Sequence, residues 1–335
     1  MDKTWMLAVA VPLAVLGGTF ALTALALEWL RRRDVLDRPV QRSSHHTPVP
    51  RGGGLAVVPL LAVGWIALAA LGDSPAEAMP VALVACALAA FSFIDDLKGL
   101  PAAARLIGHF MAAALGVWLL PQGVTVFQGL LPLALDRVAA TLLLVWFINL
   151  YNFMDGIDGI TGIETACISL GAAWVLTLEN GFGDGSAYLA LTALAAAVGF
   201  LPWNWHKAKI FLGDVGSVPL GYVMGWFLLL LASKGYWAPA LILPLYYLAD
   251  ATITLVRRMA RGERFWQAHR SHFYQRAAAR DGDHAAVATL ILAGNLTLLA
   301  LALLAVIHPL TGLALAVAVT GAMLVVLARR AQGAD

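Results

Sequence analysis

Apolar runs of spanning length recur along this chain, with polar gaps between them. They fall at 5–29, 54–72, 79–94, 103–121, 138–151, 160–178, 187–202, 217–233, 238–256, 285–306 and 310–328. Each reads as a membrane helix, giving about 11. The run at 138–151 is shorter than the roughly 17 residues of a straight span. It is expected to extend into its flanks or to be covered by neighbouring helices. The first run is long enough to span, and Met1–Asp2–Lys3 is not a basic leader, so it reads as a span rather than a cleaved signal.

Composition agrees. A length of 335 residues would allow two soluble domains, but 61% of the residues are hydrophobic and only 13% charged. Soluble domains carry about 25% charged residues. The mean hydropathy is +0.80. A chain this apolar cannot cover itself with polar surface, so lipid must be its main solvent. Cys86 and Cys167 both lie in apolar stretches, which argues against a disulfide framework and against a zinc site. The net charge of +2 is small, and no nucleic-acid partner is expected.

The distribution of charge says more than its sum. With the N-terminus outside, nineteen of the 22 Lys and Arg residues fall on inner segments, and only Lys3, Arg137 and Lys234 fall outside. Cytoplasmic loops retain such an excess of basic residues. The expected architecture is therefore an all-α polytopic membrane protein with its N-terminus outside and its C-terminus cytoplasmic. It is a single domain over 1–335, with cytoplasmic loops at about 30–53, 95–102, 152–159, 203–216 and 257–284. Outer connections such as Gly72–Asp73–Ser74–Pro75 look like spacers, whereas the inner ones are rich in Asp, Asn, His, Arg and Gly.

Five inner segments carry candidate chemistry. In Arg42–Ser43–Ser44–His45–His46–Thr47–Pro48–Val49–Pro50–Arg51–Gly52–Gly53–Gly54, prolines enforce an extended chain. Three glycines before a helix would let free amides approach an anion. The alternative is a basic loop against anionic lipid. Asp95 and Asp96 end the third span, ahead of Lys98; paired carboxylates there suit a divalent cation or a shared proton. Asn152, Asp155 and Asp158 step by three, so a helical turn would put them on one face, while Gly156 and Gly159 permit a break. Asn204 precedes Gly213–Asp214–Val215–Gly216–Ser217, where Asp214 reads as a helix cap or a metal ligand. The last segment is a basic loop from Arg257 to Arg280 that contains His269–Arg270–Ser271–His272, with the histidines one turn apart. Carboxylates without thiols favour Mg²⁺, with Mn²⁺ as the alternative. A carboxylate cluster beside a cationic rim points to a pyrophosphate-bearing soluble substrate meeting a lipid.

These segments, in this order over about residues 30 to 280, resemble the polyprenyl-phosphate N-acetylhexosamine-1-phosphate transferases of glycosyltransferase family 4. The resemblance implies transfer of a sugar-1-phosphate from a UDP-N-acetylhexosamine-type donor to undecaprenyl phosphate, with release of UMP, at the cytoplasmic face of a bacterial inner membrane. It implies Asp214 as the metal ligand and Asp95 or Asp96 as base or nucleophile. It places Asp155 and Asp158 with Asn152 around metal and nucleotide, Asn204 near the uridine, and His269 and His272 against phosphate. His45, Arg51, Lys98 and Arg270 would complete the substrate contacts. The translocase of peptidoglycan synthesis carries consecutive histidines in the fifth loop. Here only His269 and His272 flank Arg270–Ser271, which looks more like the O-antigen-initiating branch. That translocase stays as the alternative, together with a non-enzymatic transporter, for which Asp250 within a span would be the supporting residue. The spans after 285 read as packing, with a homodimer surface there left open.

Overall fold

Inside a bilayer the backbone has no water to bond, so each apolar run must close its own hydrogen bonds, and a helix does so within one segment. The computed structural model describes residues 3–37, 48–72, 74–121, 123–181, 183, 185–263 and 269–332. Its helices are α1 (Lys3–Arg32), α2 (Gly54–Ala70), α3 (Ala78–Lys98), α4 (Ala102–Trp118), α5 (Leu133–Phe153), α6 (Ile160–Asn180) and α7 (Ser186–Asn204). They continue with α8 (Asp214–Ser233), α9 (Trp237–Ile242), α10 (Leu245–Ala260), α11 (Phe273–Asp281), α12 (His284–Ile307) and α13 (Pro309–Gln332). Two short strands, β1 (Leu36–Asp37) and β2 (Val49–Pro50), pair antiparallel after α1, with Leu36 opposite Pro50.

Among the described residues, eight helices are long and apolar enough to span: α1, α3, α5, α6, α7, α8, α12 and α13. α2 and α4 are apolar but shorter. This is a nearly all-α, multi-pass membrane architecture. The short run at 138–151 is the middle of α5, which reaches spanning length by extending at both ends. The run expected as one span at 238–256 is instead broken into α9 and α10, with Pro244 at the break. A proline has no amide to donate and clashes with the preceding turn, which favours a break there, although α1 and α2 run through Pro12 and Pro59.

α8 is the axis of the bundle. Nearly its whole length is buried, and α2, α3, α4, α5, α6 and α9 all pack on it. Small residues set those approaches: Gly221 lies against Ile148 and Tyr151 of α5, and Gly225 against Leu144 and Phe147. Helices in lipid gain no hydrophobic drive from meeting, so close van der Waals packing through small residues holds them together. On the outside of the bundle, residues such as Leu13, Val63, Ile107, Leu115 and Trp118 stay exposed, as a lipid-facing belt requires. Arg137, one of the three basic residues expected outside, has a structural task. It donates to the carbonyls of Val117, Pro121 and Val124, while neighbouring Asp136 accepts from the amides of Val126 and Phe127.

The closest approach is at the entry to α2. The backbone of 50–54 runs along 211–212: the Phe211 amide donates to Pro50, Gly52 and Gly53 donate to the Phe211 carbonyl, and Gly54 donates to Leu212. This corrects the expectation of free glycine amides for an anion, because those amides are spent on the neighbouring chain. A Cβ on Gly54 would lie 2.3 Å from the backbone of Gly216. Gly54→Ala is therefore expected to lower stability by about 1–3 kcal/mol through overpacking against atoms that cannot rotate away. Gly17→Ala in α1, where a Cβ meets nothing within 4 Å, should be neutral or slightly stabilising. Thermal unfolding midpoints in detergent check both, and equal midpoints would remove the packing argument.

Candidate active site

Asp214 is the first residue of α8, and Gly213 before it has a φ of 75°, a left-handed turn that suits glycine. The new helix exposes unpaired first-turn amides. Those of Asp214 and Val215 donate to the Asp96 carboxylate at 3.3 and 3.0 Å, so the end of α3 caps the start of α8. Arg51, fixed by the paired backbone below it, places Nη2 2.5 Å from Asp214 Oδ1 and 3.0 Å from Asp96 Oδ1. Asn152, in the last turn of α5, donates to Asp214 Oδ1 and to Ser217 Oγ. Asp155, just past that helix, accepts from Thr161 Oγ1 at 2.6 Å.

The charges in this cluster act on one another. Burial works against the Arg51 guanidinium, but the carboxylates of Asp214 and Asp96 raise its pKa above the ordinary value. Burial pushes the Asp155 carboxyl up to about 6, against the Thr161 hydrogen bond and Arg51, while Asp214 and Asp96 add to the rise. A cavity of about 400 Å³ opens onto the group, lined among others by Asp95, Arg105, His109, Asn149, Asn152 and Asp214.

The other expected residues divide. Asp95 and Asp96 do not act as a pair: successive helical positions point about 100° apart. Asp95 turns to the start of α4, accepting from the Leu100 amide, with Arg105 3.6 Å away. Lys98 is exposed at the end of α3. Asn152, Asp155 and Asp158 do not share a helical face, because α5 ends at Phe153. Asp158 turns away to His206 at 2.8 Å and His284 at 3.3 Å. Asn204 is buried; its Oδ1 accepts from the Gly159 amide and its Nδ2 donates to the Ile210 carbonyl, so its amide ties two loops together. His45 lies outside the described residues.

The fifth segment also departs from a helical arrangement. α11 starts at Phe273, so His269 precedes it and the two histidines share no helical face, although their rings remain 4.9 Å apart. His272 is buried, with Nδ1 3.2 Å from Asp250 Oδ1. Asp250 also accepts from the amides of Phe273 and Tyr274 and from the Tyr246 hydroxyl. Asp250 is thus the anchor of α11. His269 is half-buried, and burial, His272 and Arg258 lower its pKa to about 4, which keeps it neutral near pH 7. Arg270 joins Arg257, Arg258, Arg261, Ser271 and Arg276 around a cavity of about 440 Å³.

Sequence reasoning missed His109, which meets Asn149 at 3.2 Å beside the cluster, and His206 and His284. A lone histidine inside the apolar run of α4 was the available signal for the first. Nothing local marked the other two.

The profile of glycosyl transferase family 4 matches residues 53–232, more than half of the chain. A decaprenyl-phosphate N-acetylglucosaminephosphotransferase of Mycolicibacterium smegmatis is 33% identical over 243 residues, 64% of this chain and 58% of that protein. An undecaprenyl-phosphate alpha-N-acetylglucosaminyl 1-phosphate transferase of Yersinia pestis is 27% identical over 259 residues, covering 72% and 68%. A phospho-N-acetylmuramoyl-pentapeptide-transferase of a Synechococcus species is 30% identical over 231 residues, covering 62% and 61%. The chain thus spans 58% of the mycobacterial relative's length, somewhat under two thirds.

The Asp155 environment gives a signed pH dependence. Its folded pKa of about 6 lies above the roughly 3.9 of an unfolded Asp, so wild-type stability falls as pH rises from about 4 to 6 and stays lowered above. Asp155→Asn in chelator should therefore be more stable than wild type by about 1–3 kcal/mol at pH 7.5. The gain should vanish near pH 4. Unfolding midpoints across that range check it, and a variant less stable than wild type at pH 7.5 would refute the assignment.

Proposed function

The chain belongs to glycosyl transferase family 4, and from that premise we propose that it transfers an N-acetylhexosamine-type sugar-1-phosphate from a UDP-sugar to undecaprenyl phosphate. UMP is released and a cell-envelope glycan such as O-antigen is begun. The reaction takes place at the cytoplasmic face of the inner membrane, the side to which the basic residues assign these loops. The observation that carries this reading is the convergence of Arg51, Asp96, Asn152, Asp155 and Asp214 at the basic end of the bundle. Because two of the relatives are named for N-acetylglucosamine, that sugar, carried on UDP in this proposal, is the first donor to try.

The donor set fits Mg²⁺, with Mn²⁺ as the alternative. Asp96, Asp155 and Asp214 face a single guanidinium, three negative charges against one positive, and the donors are oxygens without thiols. Asp214 and Asn152 would hold the ion, with Asp96 and Asp155 beside it. When bound, it supplies positive charge between two phosphates that otherwise repel.

This chain's own residues do the rest. Asp96 binds the first-turn amides of α8 while Asp95 lines the cavity beside Asn152 and Asp214, and one of the two takes the part of base or nucleophile toward the lipid phosphate. In the direct form, an oxygen of the lipid phosphate bonds to the sugar-linked phosphorus. The bond to the UMP oxygen breaks, and that oxygen keeps the electron pair. Arg51 orients Asp96 and Asp214 and balances their charge. The arginine cavity after α10 receives phosphate and steers a nucleotide-sugar to the site by its field, and neutral His269 precedes its Arg270 in the chain. Asn204 and Asp158 act on the nucleotide pocket through the loops they hold.

The test is detergent-purified protein with Mg²⁺, undecaprenyl phosphate and a panel of donors: UDP-N-acetylglucosamine, other UDP-N-acetylhexosamines and UDP-MurNAc-pentapeptide. UMP release with an N-acetylhexosamine donor is expected; release with the pentapeptide donor alone would favour the peptidoglycan branch. No UMP from any donor, with solute moved across vesicles instead, would defeat the enzyme reading. Asp214→Ala should cut turnover by roughly 100-fold or more, the scale of a lost transition-state charge partner, with expression and insertion unchanged.

A further inference from the structure

We propose that Asp158, His206 and His284 form a second cation site, separate from the Asp96–Asp214 cluster and suited to a borderline ion such as Zn²⁺ rather than to Mg²⁺. One ligand atom from each of the three lies within 4.8 Å of the others. Three different elements supply them: the loop between α5 and α6, the segment after α7, and the first residue of α12. The sequence distances are long, so the grouping is a product of the fold.

The geometry is close to what a metal needs. Bonds of 2.0–2.1 Å in a tetrahedron put donor atoms about 3.3–3.4 Å apart. His284 Nδ1 stands 3.3 Å from Asp158 Oδ1, and His206 Nδ1 stands 2.8 Å from Asp158 Oδ2, so an opening of a few tenths of an ångström would admit the ion. His284 is the independent sign of a ligand. Its side chain is only 6% exposed, and among the described residues its Nδ1 makes no well-directed hydrogen bond, only the 3.3 Å approach to Asp158 Oδ1. A buried polar atom left unbonded is costly unless something else engages it.

The surroundings favour coordination over a loose ion pair. Asp158 Oδ2 also accepts from the Ala208 amide, which fixes the carboxylate in place. On α6 and α12, Ile163, Cys167 and Ala288 form a small buried apolar cluster, with Trp205, next to His206 in the chain, packed against it. His206 is the most open member, 24% exposed, so the fourth position faces outward for water or another donor. Two imidazoles and one carboxylate are the donor set of three-ligand zinc sites, whereas Mg²⁺ prefers oxygen throughout. The positive end of α12 opposes a cation there, but Asp283 caps that end and offsets it. An ion here would tie α12 to the loop that carries Asp155. The proposal does not rest on the transferase reading.

The test uses full-length protein purified without a polyhistidine tag, stripped with chelator and titrated with Co²⁺. One equivalent should give the visible absorption of a four- or five-coordinate site, displaced by Zn²⁺ and not by a large excess of Mg²⁺. His284→Ala and His206→Ala should each weaken binding by more than about tenfold. Asp214→Asn, which alters the other cluster, should leave the titration unchanged. Zn²⁺ should also raise the unfolding midpoint of wild type but not of His284→Ala. Absence of a Co²⁺ spectrum in wild type would overturn the site without any variant. So would identical titrations of wild type and His284→Ala, or equal displacement by Mg²⁺.

Discussion

The contact between Gly54 and Gly216 is where two backbones meet with no side chain between them. It brings the entry of α2 against the first turn of α8, and the charged groups above it follow from that. The chain from Pro50 to Gly54 is held along 211–212 by backbone hydrogen bonds, so Arg51 has little freedom in where its guanidinium can reach. It reaches two carboxylates from different helices at once. Asp96 is held from the other side by the amides of α8. Three elements thus meet at one helix end, and moving any of them separates charges that now compensate. This is why a segment whose composition looks like a flexible phosphate loop is a rigid part of the packing.

A similar economy governs the basic loop. Asp250 sits deep in the bundle, where an isolated carboxylate would be costly. It is made tolerable by five partners: His272, two amides of α11, and the hydroxyls of Tyr246 and Thr254. The amides place α11, and the Tyr274 hydroxyl then donates to the Phe153 carbonyl at the end of α5. The arginine cavity and the acidic cluster are therefore joined through one buried acid, which Thr254 links to the cavity wall. An acid inside a span can signal transport. Here its neighbours take up its hydrogen-bonding capacity, and its effect is to hold two charged regions in register.

Much of this was legible in the chain. Run length located ten of the eleven expected helices to within about five residues, because backbone satisfaction in lipid leaves little choice of structure, but 238–256 divides at Pro244 and the polar α11 reads as loop in the sequence. Arg51, Asp96, Asn152 and Asp214 could be picked out as polar groups at helix ends. What could not be read was the direction of side chains and amides. The step of three from Asn152 to Asp158 implies a shared face only while the helix lasts, and α5 stops at Phe153. Adjacent Asp95 and Asp96 look like a pair, yet neighbouring helical positions must diverge. The glycines at 52–54 announce a close backbone approach without saying to what. His206 and His284 are nearly eighty residues apart, and only the tertiary packing of α6, α7 and α12 brings them to Asp158.

The two polar clusters also differ in a way that follows from their donors. Around Asp214 the groups are carboxylates, an amide and a guanidinium, with a cavity alongside that leaves room for substrate oxygens. Hard ions that keep part of their coordination for substrate fit such a place. Around Asp158 the groups are two imidazoles and one carboxylate. Softer nitrogen donors at short range select a different ion. Asp155 and Asp158 are three residues apart, and each belongs to one cluster. The short turn between them, closed by Gly159 and tied down by Asn204, is what keeps the two environments distinct. A helix through that turn would have merged both acids into a single oxygen-rich surface. The break lets one loop serve two different chemistries.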